Sequence, residues 1–222
     1  MNSKLLAICV GQAQALFFNS PTTDLTPDLT PEPTPEPTPT LASMPEHRSA
    51  IRKKAISTLD HPQPVPVELL GVTGDDQVDR TVHGGPTRAI YAYPAEHYAF
   101  WTTVRAQAKQ HEPIAWGAMG ENLVLQGLLE TQLWLGDHVY VGAVQLRVEA
   151  PRQPCFKFNT VMGFRQASKM MVQSGFTGVY LSVLQPGVIT AGDSVRVVPG
   201  DRVLSLTERH TLLNRSPQRS LW

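Results

Sequence analysis

The stretch Gly136-Asp137-His138-Val139-Tyr140-Val141-Gly142-Ala143-Val144-Gln145-Leu146-Arg147-Val148-Glu149 decides the architecture. Val144, Leu146 and Val148 fall at period two, with Gln145, Arg147 and Glu149 on the opposite face, the mark of a strand with one dry and one wet side. Gly142-Ala143 between two such runs predicts a tight hairpin. A second Gly-Asp turn, Gly192-Asp193, feeds Ser194-Val195-Arg196-Val197 in the same manner. Ala50-Ile51, Ala55-Ile56, the run from Val65 to Leu70 and the run from Ala89 to Tyr93 are short apolar pieces bounded by Pro, Gly or Asp, which favours strands. Many short strands with Gly-rich turns imply a barrel or a sandwich, mainly β with a few peripheral helices.

Two helices are expected beside the strands. Pro94 and Glu96 open one that carries Tyr98, Trp101 and Ala108 along one side to about Gln110. Phe164, Ala167 and Met171 lie at helical spacing, and Gly175 sits where that helix ends. Met170 and Met171 read as core filler.

The 222 residues suffice for one domain with a real core. Nineteen Lys+Arg balance nineteen Asp+Glu, so no net charge draws the chain to nucleic acid or an anionic membrane. Cys9 and Cys155 are far apart, which excludes a disulfide framework or a zinc knuckle and suits a reducing compartment. Gln12 and Gln14 interrupt the apolar run that follows Lys4, so Leu5 to Val10 reads as a buried first strand and not as a signal peptide. No apolar run is long enough to cross a bilayer, and a soluble cytoplasmic protein is expected. Eight of the nineteen prolines fall between Pro21 and Pro45, interleaved with seven threonines, a composition suited to an extended, solvated spacer. The expected organisation is a first barrel strand in 1–18, a Pro/Thr-rich disordered insertion in 19–48, a barrel domain in 49–200 and a short tail in 201–222.

Chemistry centres on Pro151-Arg152-Gln153-Pro154-Cys155. Arg152 brings positive charge toward the sulfur and favours thiolate, both a nucleophile and a soft metal ligand. Pro154 argues against a helix beginning just before Cys155, where a helix N-terminus often activates such a thiol. From Gly142 to Tyr180 five basic residues (Arg147, Arg152, Lys157, Arg165 and Lys169) face one acidic residue, Glu149, a balance that suits an anionic, phosphate-bearing ligand. His83-Gly84-Gly85-Pro86-Thr87-Arg88 joins a histidine and an arginine to paired glycines whose amides can approach a ligand closely. Gly120-Glu121-Asn122 is a third compact polar group, in which Glu121 either serves the pocket or caps a turn.

In this order and spacing, these stretches resemble the MOSC domain, the molybdenum-cofactor sulfurase C-terminal domain, and more closely its bacterial stand-alone members of the YiiM type. Gly74-Asp75-Asp76-Gln77, Tyr93-Pro94-Ala95-Glu96-His97-Tyr98, Gly136-Asp137 and Gly192-Asp193 complete the match, which runs from about Ser49 to Val198. The resemblance implies a β-barrel that binds molybdenum held by molybdopterin, with Cys155 as metal ligand. It implies reduction of N-hydroxylated compounds such as hydroxylaminopurines, with a small-molecule substrate and an electron-donating reductase as partners. Cys155 and His83 are then the catalytic candidates, His83 as proton donor. Arg152, Arg88, Lys157, Glu121, Asn122, Gly84 and Gly85 are the cofactor-binding candidates. No pyridoxal phosphate is expected, since no lysine-bearing domain is present to hold it. The helical extension of such proteins is expected to be truncated here.

Two other functions fit the residues. One is a carrier of molybdenum cofactor or sulfur on Cys155 without turnover. The other is a metal-free thiol hydrolase using Cys155, His83 and Asn122.

Overall fold

A computed structural model of the chain describes residues 3–16, 47–76 and 84–215. Expectations for the segment 17–46, for His83 and for the last seven residues lie outside the described residues. The strands are β1 (Ser3–Val10), β2 (Gln14–Leu16), β3 (His47–Ser49), β4 (Lys54–Thr58), β5 (Val65–Glu68), β6 (Gly71–Val72) and β7 (Ile90–Pro94). They continue with β8 (Leu123–Gln126), β9 (His138–Val141), β10 (Val144–Pro151), β11 (Val179–Gln185), β12 (Gly187–Ile189) and β13 (Ser194–Val198). The helices are α1 (Tyr98–Gln107), α2 (Phe156–Met162), α3 (Ala167–Ser174) and α4 (Leu206–Arg215).

Seven strands close a barrel in the order β13-β9-β10-β11-β7-β8-β1, and β4 adds to the outer edge of β1. Closure rests on β1, whose start pairs with β13 (Ser3 opposite Val195) while its body pairs with β8 and β4. One strand serves three partners because its register shifts near Leu5 and again at Ile8, and such bulges bend and twist a strand. The ladder is antiparallel except between β7 and β8. That parallel pair needs a long crossover, which α1 and the loop behind it supply.

The decisive hairpin forms with Val141 opposite Val144 across the two-residue Gly142-Ala143 turn, where Gly142 takes a φ of 53°. Its alternation is kept: Val144, Leu146 and Val148 are buried in the barrel and Arg147 is exposed. A separate small sheet pairs β12, β5 and β6. No helix among the described residues is long and apolar enough to cross a membrane.

Some boundaries differ from those expected. Ala50-Ile51 is not a strand, because the chain turns there toward the pocket described below. His47 and Arg48, assigned above to the insertion, pair with β2 as part of β3. The helix α1 buries Tyr98, Trp101 and Val104 and stops at Gln107, three residues early, as Lys109 takes a left-handed φ of 60°. Gly175 ends α3 in the left-handed conformation, as its spacing predicts.

The short tail expected in 201–222, with its truncated helical extension, contains α4. Ser205 and Glu208 form a capping box there: the Glu208 amide donates to Ser205 Oγ at 3.2 Å and the Ser205 amide donates to Glu208 Oε2 at 2.9 Å. The Ser205 hydroxyl, which donates to Glu208 Oε2 at 2.7 Å, and the Ser205 amide hold the Glu208 carboxyl below its ordinary pKa, and Leu206 anchors the helix in the barrel core.

Candidate functional site

Where β10 leaves the barrel, Pro151 and Pro154 stiffen the chain and Cys155 follows as the N-cap of α2, with extended backbone (φ −110°, ψ 172°). The helix thus begins after the cysteine and not before it, as Pro154 leads one to expect. A proline restricts the residue before it, Gln153, not the one after, and buried Phe158 and Met162 dock α2 directly behind the cysteine.

Cys155 is half-buried and lines a pocket of about 750 Å³ including its open mouth. The walls come from the chain after β3, the Asp75-Asp76 turn, the short 3-10 turn at 86–88 and the start of α2. Four cations line it, Lys53, Arg88, Arg152 and Lys157, against two carboxylates, Asp75 and Asp76. The balance favours an anionic ligand.

Arg152 is buried, and its guanidinium lies 4.9 Å from the centroid of the Tyr91 ring and 5.1 Å from that of Phe158. It donates to the Met119 carbonyl. Burial works against its charge, but the neighbouring Tyr91, Tyr180 and Cys155 favour the cation more strongly. Arg88 ends the 3-10 turn with its guanidinium 5.7 Å from the Tyr180 ring. Lys157 stands half-buried on α2.

Lys53 and Asp75 went unnoticed in sequence as partners. Lys53 Nζ lies 2.5 Å from Asp75 Oδ2, with both side chains nearly inaccessible. Asp75 also accepts the Gly11 amide at 2.8 Å and Asn122 Nδ2 at 2.8 Å. Loss of hydration lowers the Lys53 pKa, and Asp75 opposes that shift. The Asp75-Asp76 pair stood in a quoted motif, whereas nothing local marks Lys53.

The other candidates separate. Asn122 lines the pocket, but its amide is committed: Oδ1 accepts the Tyr91 amide at 3.1 Å, and Nδ2 serves Asp75 and the Cys9 carbonyl. A role orienting a catalytic histidine, as a thiol hydrolase requires, would compete with those bonds. Glu121 is fully buried and not among the lining residues, accepting from the Tyr98 hydroxyl and from the Gly117 amide at 2.7 Å. Burial pushes its carboxyl pKa up. Gly84 and Gly85 lead into the turn that carries Arg88, Gly85 at a φ of 84°, and do not line the pocket. Burial also pushes the Cys9 thiol far up, so Cys155 is the cysteine open to chemistry.

The donor set fits a molybdenum–pterin group. A cysteine sulfur suits a sulfur-ligated metal, and Arg88 and Lys157 suit a phosphate. The Gln153 carboxamide in the pocket wall has no hydrogen-bond partner among the described residues. No cluster of three or more His, Cys, Asp or Glu among the described residues offers an all-protein metal site.

A model of the MOSC domain family matches residues 79–196. YiiM of Escherichia coli K12 is 37% identical over 129 residues, 58% of this chain and 57% of that protein. A protein named reductase from Gibberella moniliformis is 35% identical over 147 residues, 65% of this chain and 25% of that one. The crystal structure of YiiM from Geobacillus stearothermophilus aligns with a TM-score of 0.66 at 26% identity, covering 96% of this chain and 84% of that one. The chain thus spans a little over half the length of the YiiM protein and a quarter of the reductase it resembles.

Proposed function

This chain belongs to the MOSC domain family, and from that premise we propose that it binds molybdenum cofactor through Cys155 and reduces N-hydroxylated compounds. The observation that supports this reading is the half-buried Cys155 in a pocket lined by four cations and by a carboxamide that is unpaired among the described residues. Cys155 would supply the protein's sulfur to the metal, and Arg88 and Lys157 would hold the phosphate. When bound, the cofactor supplies a two-electron metal centre for cleavage of the N–O bond.

The reaction balances as R–NHOH with two electrons and two protons giving R–NH2 and water. An electron-donating reductase delivers the electrons, and the small-molecule substrate enters through the open mouth. Lys53 is a described group able to hold a proton at the pocket wall. Its burial favours giving that proton up, and Asp75 keeps Nζ in place. Arg152 keeps the chain before Cys155 fixed through the Met119 carbonyl and the two rings.

The test is the molybdenum and pterin content of the wild type and of Cys155→Ala, both made in a host that synthesises the cofactor. Molybdenum approaching one per chain in the wild type and lost in the variant is expected. The loaded wild type with an electron donor should then convert a hydroxylaminopurine to the amine. Absence of molybdenum from both proteins beside a loaded control enzyme would overturn the reading.

A further inference from the structure

Gln153 sits two positions before Cys155 and lines the same pocket. Its Oε1 and Nε2 are both buried, and neither has a hydrogen-bond partner among the described residues. Burying a carboxamide unpaired is unfavourable, and a side chain such as leucine would fill similar volume without that penalty. Nor is the amide poorly placed by chance mobility. Pro154 confines Gln153 to extended backbone, and Arg152 on its other side is anchored between Tyr91 and Phe158.

A carboxamide offers an acceptor and donors side by side in one plane. Its complement is an edge on which a donor lies next to an acceptor, as on the lactam or amino-substituted rings of nitrogen heterocycles. We propose that Gln153 reads such an edge, pairing through Oε1 and Nε2 with adjacent donor and acceptor atoms of a pterin or a purine. The inference rests on the pocket being the cofactor and substrate site proposed above. The pterin of the cofactor and the base of an N-hydroxylated purine share the chemistry, and experiment separates them.

Titration calorimetry on the cofactor-free full chain, with free pterin and separately with 6-hydroxylaminopurine, compares the wild type with Gln153→Leu and Gln153→Met. The wild type is expected to bind at least one of the two, and both variants to bind it at least tenfold more weakly. Both variants should also melt at or above the wild-type temperature, because the unpaired amide is gone; this shows that lost binding is not lost folding. Weakened pterin binding alone assigns the contact to the cofactor, and weakened purine binding alone assigns it to the substrate. Equal affinity in all three proteins, or no binding of either heterocycle by the wild type, overturns the proposal. Neither titration needs molybdenum, so failure of the metal-retention experiment and failure of this one are told apart.

Discussion

The barrel interior is filled by aliphatic side chains such as Leu5, Leu123, Leu146 and Leu181. The wall between the barrel and the helices is instead aromatic, with Tyr91, Tyr93, Tyr98, Trp101 and Phe158 packed together. Both regions are buried, and the aromatic one is laced with polar atoms. Trp101 Nε1 donates to the Tyr93 hydroxyl at 2.6 Å, the Tyr91 hydroxyl donates to the Thr177 carbonyl at 2.8 Å, and Glu121 and Arg152 lie within the same wall. Aliphatic packing gives adhesion without direction, whereas aromatic rings with polar ends accept charge at fixed positions. The barrel therefore holds the fold, and the aromatic wall holds the pocket's backing groups in place.

The largest test of that contrast is Arg152→Met. It removes a buried cation from between two rings and from a backbone carbonyl, and it should cost about 3–5 kcal/mol in urea unfolding of the cofactor-free protein. A cost under about 1 kcal/mol would show that the rings pack equally well without the cation. In the barrel, Leu146→Ala should cost about 3 kcal/mol through lost burial and a residual cavity, while molybdenum content per folded chain stays unchanged. A loss of metal from the folded variant would erase the division of labour between the two regions.

The smallest expected effect depends on pH. Burial raises the Glu121 carboxyl above its ordinary 4.5, so the folded protein retains a proton that the unfolded chain releases. Its contribution to stability is complete below about pH 4.5 and is lost as pH rises toward the raised folded value. Around it stand the Tyr98 hydroxyl, Lys53 and Cys9. Glu121→Gln should therefore gain stability relative to the wild type as pH rises from 4.5 to 5.5, by at most about 1 kcal/mol. A stability difference flat across that interval would mean that Glu121 titrates in the fold as it does in the unfolded chain.

Much of the architecture was legible because it is local. Period-two alternation marked the β9–β10 hairpin, the apolar run from Leu5 marked β1, and Gly175 marked the end of α3. The capping box at Ser205 and Glu208 was equally local and announced α4 to any reading that looked for it. At the site, Cys155, Arg152, Arg88 and Lys157 were singled out by residue type, and all four line one pocket. Glu121 and Asn122 were singled out for the same reason, yet one is buried outside the lining and the other is tied to backbone and to Asp75. The polarity of a triplet does not tell which way each side chain leaves the turn.

By its amino acids alone this chain determined its strands, its turns and its one accessible cysteine, because alternation, glycine and burial preference act over a few residues. The tertiary structure decided which distant groups meet. Lys53 finds Asp75 22 positions on, Arg152 reaches the Met119 carbonyl 33 positions back, and the Gln153 carboxamide is left without a partner among the described residues beside Cys155. Those outcomes follow from how the barrel closes and where its connections cross, which side-chain preference within a short segment does not encode.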